Sequence, residues 1–125
     1  MTADANFYAR FWGVRGSIPC PGPSTVRYGG NTSCIEISCG GATIILDAGT
    51  GIRELGDALA KNGQVDTDIL FTHTHFDHIV GLPFFAPIYN AKNSVRLWSG
   101  HLAPEHSLEE VLCEMLMAPL FPIPM

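Results

Sequence analysis

The chain has no long apolar run and little positive charge. No part of its 125 residues approaches the roughly 18 consecutive apolar residues that a membrane span needs. Its start lacks the basic segment and apolar run of a secretory signal, so we expect a cytoplasmic location and no membrane partner. The net charge is −5, from 7 basic and 12 acidic residues. Because nucleic-acid binding normally needs a basic face, this balance argues against nucleic acid as a partner.

Cysteine is also scarce, and its spacing gives no C-x-x-C motif. The four cysteines have no C-x-x-C arrangement: Cys20, Cys34, Cys39 and Cys113. In a chain without an export signal we expect reduced thiols, some of them buried. Apolar residues make up 46% of the chain and charged residues 15%, a composition that excludes disorder and favours one domain with its own core.

Short β-branched runs indicate strands. The segments FYARFWGV, CIEIS, TIILDAG, TDILFT and SVRLWS have this character. The second and third flank Gly40-Gly41 and therefore predict a hairpin. Between the first strand and this hairpin lies a segment rich in glycine and proline, which we expect to be a loop.

Helical spacing of apolar residues alternates with these strands. Apolar residues recur at helical intervals from Ile52 to Leu59, and a capping box at Ser107 and Glu110 predicts a later helix. The segment IVGLPFFAPIY is a further helical candidate, although its prolines make the limits uncertain. This order predicts an α/β fold in which helices cover a sheet.

The stretch HTHFDH follows the apolar strand TDILFT directly. His73 and His75 point to the same side, because extended chain has a period of two. Asp77 and His78 follow where the chain turns, so the four side chains can converge. Imidazole and carboxylate suit zinc, manganese or iron. A polar turn with hydrogen-bonded histidines is the alternative, but four ligand-type residues in this order favour binding of two metal ions.

Three motifs carry a resemblance to a known family. HTHFDH followed by IVGL resembles the signature of the metallo-β-lactamase-fold hydrolases, and ILDAGTG resembles the strand-end aspartate and glycine turn upstream of it. FWGVRGSIPCPGPSTVRYGGNTSCIEI resembles the opening of the phosphodiesterase-like branch, which includes ribonuclease Z. The resemblance implies the first half of a four-layer αβ/βα fold, an α+β sandwich, as one incomplete domain over residues 1–125.

The resemblance also implies roles for particular residues. His73 and His75 would ligate one metal, and Asp77 and His78 a second, with zinc first and manganese or iron as alternatives. It implies attack by a metal-activated hydroxide, which Asp77 would orient or assist as the catalytic residue. Asp47 would accept the other ring N–H of a ligating histidine and fix its tautomer. For that carboxylate, capping of the AGTG turn is the alternative.

The later ligands of the family have no counterpart in the chain. No ligand-like pattern surrounds His101 or His106, and we do not expect either to bind the metals. The apolar end MLMAPLFPIPM requires a covering surface, above all for Leu120, Phe121 and Ile123. We therefore expect the rest of the site to come from a missing segment or a complementing chain.

Two classes of function follow. The first is a metal-dependent hydrolase of a small anionic substrate, a phosphodiester by resemblance alone, with ester, thioester and lactam substrates as alternatives. The second is a catalytically inactive, truncated module that binds metal or forms a homodimer through an open sheet. Arg15, Arg27 and the glycines of RYGGN can contact an anionic substrate, but we expect them to shape and solvate a loop.

Overall fold

The computed structural model describes residues 6–122. Within this range the chain forms a five-stranded sheet and three α-helices. The strands are β1 (Tyr8–Gly13), β2 (Cys34–Cys39), β3 (Ala42–Leu46), β4 (Asp66–Phe71) and β5 (Ser94–Ser99). The helices are α1 (Ile52–Ala60), α2 (Phe76–Ile79) and α3 (Leu108–Met115).

The strands lie in the sheet in their chain order, β1-β2-β3-β4-β5. The β1–β2 and β2–β3 pairs are antiparallel, whereas the β3–β4 and β4–β5 pairs are parallel. The predicted hairpin is confirmed: β2 and β3 are joined by Gly40 and Gly41, whose φ angles are 57° and 86°. A two-residue turn with positive φ at both positions matches the twist of the strands, and glycine adopts it without a steric penalty.

The parallel half of the sheet places three polar positions at one edge. Helix α1 connects β3 to β4, so the carboxyl ends of β3, β4 and β5 lie side by side. Asp47 follows β3 directly, His73 follows β4, and His101 follows β5. In open α/β sheets this carboxyl edge is where ligands bind.

The core lies between the helices and one face of the sheet. Ile45 and Ile69 from the sheet pack in one buried cluster with Ile52 and Leu55 of α1 and Leu112 of α3. This confirms the predicted α+β architecture, in which helices cover a sheet.

The opposite face of the sheet is open in the described part of the chain. Its apolar side chains include Phe11, Leu70 and Trp98, which are 64%, 38% and 55% exposed. Exposed apolar side chains on one face are typical of interaction surfaces, although the ion pair of Arg96 and Asp68 lies on the same face.

The helix expected within IVGLPFFAPIY is wrong in its position and type. Helix α2 begins at Phe76, inside the histidine stretch, and ends at Ile79. Two separate 3₁₀ turns follow, at Leu82–Phe84 and Ala86–Tyr89. Each has proline in its first turn, where the missing N–H is tolerated, and neither proline permits a continuous α-helix through the segment.

Helix α3 begins as the sequence predicts. The Ser107 Oγ accepts a hydrogen bond from the Glu110 backbone N–H at 3.1 Å, and the Glu110 carboxylate accepts one from the Ser107 N–H at 2.9 Å. Beyond α3, Leu120 is 78% exposed, while Phe121 packs edge-on against Phe84 with 6.2 Å between ring centroids. Ile123 lies outside the described residues.

All four cysteines are free thiols, as expected, and Cys34 is the buried one. None of the helices formed within residues 6–122 has the length and apolar character of a membrane span.

Candidate metal centre

Two glycine-containing segments meet at the carboxyl edge of the sheet. The backbone N–H of Ala48 donates to the carbonyl oxygen of His78 at 2.7 Å, and the N–H of Gly81 donates to that of Ala48 at 2.9 Å. A Cβ at Gly49 would lie 2.5 Å from the Asp77 carbonyl oxygen, and one at Gly81 would collide with the carbonyl of Gly49. The glycines therefore permit the close approach that brings the DAGTG turn against the histidine stretch.

The structure brings the four sequence-predicted ligands close to one another. The ring centroid of His73 lies 4.6 Å from that of His75 and 4.0 Å from that of His78. Asp77 Oδ2 lies 3.4 Å from His78 Nε2. Helix α2 contributes the Asp77-His78 pair, whereas His73 and His75 precede it in irregular chain.

Asp47 lies behind this group, 97% buried. Its carboxylate accepts hydrogen bonds from the Thr72 N–H at 2.8 Å and the Thr72 hydroxyl at 2.8 Å. Asp47 Oδ2 also lies 2.9 Å from His78 Nδ1. In the described residues the Asp47 carboxylate accepts no hydrogen bond from the AGTG turn. The geometry therefore favours orientation of the His78 ring over capping of the turn. The backbone of Asp47 has φ 61°, a conformation that aspartate tolerates better than most residues.

These contacts determine which ring nitrogen faces the site. The Asp47 carboxylate can only accept, so His78 donates its Nδ1–H to it, and a neutral His78 ring would have its lone pair on Nε2, on the side of Asp77. The single hydroxyl hydrogen of Thr72 is donated to Asp47, so the Thr72 oxygen accepts from His73 Nδ1 at 3.0 Å. A neutral His73 ring would therefore also have its lone pair on Nε2.

A loop residue far away in sequence contacts Asp77, the one carboxylate among the predicted ligands. The backbone N–H of Ser17 donates to Asp77 Oδ2 at 2.8 Å. This hydrogen bond is the main reason that the pKa of Asp77 is lowered, with the nearby His78 and His73 adding to it against the opposing effect of burial. Ser17 has φ 71°, in the left-handed region, at the position where its N–H contacts Asp77. Asp77 is consequently an ionised acceptor at neutral pH.

Sequence reasoning missed both Thr72 and Ser17. Thr72 belongs to the strand end TDILFT, where a hydroxyl beside a histidine pair was a usable signal. Ser17 had no such signal, because 60 residues separate it from Asp77.

The remaining histidines differ in their positions. His101 Nε2 lies 3.3 Å from the Thr74 hydroxyl, and its Nδ1 lies 3.0 Å from the Ser99 hydroxyl. It thus borders the histidine stretch without contacting the predicted ligands. His106 lies in the turn before α3 and makes no side-chain hydrogen bond within residues 6–122.

The donor set fits a divalent metal in its chemistry, but its placement in the described residues does not form a closed site. Neutral imidazole nitrogens and a carboxylate are suitable ligands, and Asp47 provides the outer contact that ligating histidines commonly have. Within residues 6–122, however, no three His, Cys, Asp or Glu side chains converge as a closed metal site requires. The described residues therefore supply only part of a coordination shell.

The family comparison agrees with this site. The model of the metallo-beta-lactamase superfamily matches residues 27–97, more than half of the chain. The chain belongs to this superfamily. The matched segment contains Asp47 and the whole HTHFDH stretch. Members of the superfamily generally bind divalent metals, usually zinc, and membership indicates metal-dependent hydrolysis. Comparison with curated proteins and with solved structures gave no significant match.

Proposed function

We propose that this chain forms the metal-binding part of a hydrolase that cleaves phosphodiesters. The observation that carries the proposal is the series of contacts from Asp47 to His78 and from His78 to Asp77. It holds a histidine in the tautomer that a metal ligand needs and directs its free nitrogen toward a carboxylate. A satisfied structural histidine would have little need of both contacts.

Two pairs of side chains would hold the metals. His73 and His75 would bind one ion, and Asp77 and His78 the other. Zinc is the first choice, because imidazole and carboxylate suit it, and manganese and iron accept the same donors. When bound, such an ion lowers the pKa of water and stabilises negative charge on the substrate.

The protein's own groups would orient and hold this arrangement. Asp47 fixes the His78 ring, and the Ser17 N–H fixes the Asp77 carboxylate. A general base works best with a pKa near the operating pH, whereas the pKa of Asp77 is lowered. Asp77 is therefore better suited to orient a nucleophile as a carboxylate than to take up its proton.

The choice of a phosphodiester rests on the opening segment FWGVRGSIPCPGPSTVRYGGNTSCIEI, which resembles the phosphodiesterase and ribonuclease Z branch. The acidic balance of the chain favours a small anionic substrate over a nucleic acid. We also propose that the protein is located in the cytoplasm.

The open sheet face supports completion by another segment or chain. Phe11, Leu70 and Trp98 are exposed on the face that the helices do not cover. A catalytic zinc normally has three protein ligands, one more than each proposed pair supplies. We propose that the same element covers the face and provides the remaining ligands. The same face also favours the second candidate, an inactive module that binds metal or forms a homodimer.

The test uses the protein purified from the cells that naturally produce it, together with any chain that copurifies with it. Hydrolysis of a chromogenic phosphodiester is compared with that of a carboxylic ester, a thioester and a lactam, with zinc or manganese present and after chelation. We expect metal-dependent cleavage of the phosphodiester, lost in His73→Ala and Asp77→Asn and retained in His106→Ala. Preferred cleavage of another substrate would refute the phosphodiester. No metal-dependent turnover at all would favour the inactive module.

A further inference from the structure

The loop between β1 and β2 forms a half-open surface cavity that the proposed metal site does not use. Its volume is about 200 Å³, and its lining includes Arg15, Ser24, Thr25, Arg27 and Tyr28. Drug-sized ligands occupy pockets of roughly 300–1,000 Å³, and a water molecule accounts for about 30 Å³. The cavity is therefore of a size for one small polar group rather than for a whole substrate.

Both arginines of this cavity lack an ion-pair partner in the described residues. Within residues 6–122, neither Arg15 nor Arg27 has a carboxylate in ion-pair distance, whereas Arg53 pairs with Asp57 and Arg96 with Asp68. A guanidinium offers several N–H donors in a planar fork that matches phosphate oxygens. In a chain with a net charge of −5, two unpaired arginines in one cavity make it a local attractor of anions.

Hydrogen bonds within the loop order its backbone. The Thr25 hydroxyl donates to the Cys20 carbonyl oxygen at 2.6 Å, and the Gly29 N–H donates to that of Thr25 at 2.7 Å. The guanidinium of Arg27 lies over the Tyr28 ring, 5.1 Å from its centroid. The loop backbone and the Arg27–Tyr28 pair are therefore in place before an anion binds.

A short stretch of chain connects the cavity to the proposed metal site. The Ser17 N–H bonds Asp77 at 2.8 Å, and Arg15 precedes Ser17 by two residues. Two residues of extended chain span at most ~7 Å. The backbone of Arg15 therefore lies close to the residue that contacts Asp77.

We propose that this cavity is a subsite for a phosphate group of the substrate, apart from the phosphodiester that is cleaved. The inference rests on the proposed function and narrows its substrate to phosphodiesters that carry a second phosphate. Arg15 and Arg27 would bind the phosphate oxygens, with the Ser24 hydroxyl as a further donor. This subsite replaces the expectation that both arginines only shape and solvate the loop.

The test is a titration of inorganic phosphate into the metal-free protein, with a chelator present, followed by the NMR signals of the arginine Nε–H groups. We expect saturable shifts at Arg15 and Arg27. Arg15→Gln and Arg27→Gln should each weaken phosphate binding by about tenfold or more, whereas Arg53→Gln should leave it unchanged. All three positions are exposed, and backbone spectra confirm that each variant is folded.

Two outcomes would overturn the subsite. One is phosphate binding that survives the loss of both arginines, and the other is equal weakening by Arg53→Gln. His75→Ala separates this result from the hydrolase proposal, because loss of a metal ligand should not alter phosphate binding to metal-free protein. Retained phosphate binding in that variant supports the subsite even where hydrolysis fails its own test.

Discussion

Asp47 and His78 are joined by a 2.9 Å contact between Oδ2 and Nδ1, across 31 residues of sequence. The contact depends on the approach of two backbone segments that contain glycine, and on a left-handed conformation at Asp47. It links the fold to the chemistry, because the same buried carboxylate closes the end of β4 through Thr72 and orients a proposed ligand.

Replacement of Asp47 by asparagine should weaken zinc binding. The amide keeps the shape of the carboxylate but loses its charge, so it no longer favours the His78 tautomer with a free Nε2. Loss of such an outer contact costs roughly 10- to 100-fold in metal affinity. Calorimetric zinc titration measures the effect, with Asp57→Asn, the same change on the exposed face of α1, as control. Equal zinc affinity in both variants would show that Asp47 has no role in metal binding.

Gly81→Ala should destabilise the whole site. The new Cβ would collide with the Gly49 carbonyl and lie 2.9 Å from the Ile52 side chain, so the two segments must separate. Overpacking of this kind costs about 3 kcal/mol in free energy of unfolding. Gly100→Ala, where nothing lies within 4 Å of the added Cβ, is the control. Denaturant unfolding that gives the same stability for both variants would contradict the close approach.

Cys34 should resist alkylation in the folded protein. Burial, followed by the charges of Asp47 and Glu36, raises the pKa of its thiol to about 12, and the thiolate is the reactive form. Iodoacetamide should modify the exposed Cys39 and Cys113 first, and Cys34 only after unfolding. Peptide mass spectrometry gives the order of modification. Rapid labelling of Cys34 under native conditions would show that the core is open there.

The same thiol predicts a loss of stability at alkaline pH. Its pKa in the folded state is raised above the ordinary value of 9.0, so the folded protein keeps a proton that the unfolded chain releases. The contribution of the protonated Cys34 thiol to the free energy of unfolding is complete below pH 9. It is lost as the pH rises toward about 12. Cys34→Ala should reduce the dependence of unfolding free energy on pH in this window. An unchanged slope would assign the alkaline loss to other groups.

The sequence predicted the parts of this fold that depend on local patterns. Gly40-Gly41 identified the hairpin, apolar spacing identified α1, and the capping box gave the first residue of α3. The four proposed ligands could be named because they lie within six residues at the end of one strand.

The parts that the sequence did not predict depend on contacts between distant segments. Ser17 reaches Asp77 across the molecule, and no local pattern specifies that pairing. The helix after the histidines was misplaced because prolines divide an apolar run into 3₁₀ turns. The cavity between Arg15 and Arg27 also appears only when the loop closes on itself through bonds such as Thr25 to Cys20.

The central claim is that His73, His75, Asp77 and His78 hold a divalent metal. Equilibrium dialysis against a zinc buffer, followed by elemental mass spectrometry, measures zinc per chain even where the coordination shell is incomplete. We expect the protein and its His106→Ala variant to retain the same amount of zinc above the dialysate, and His75→Ala to retain clearly less. Equal retention by all three proteins would contradict a metal site in the HTHFDH stretch.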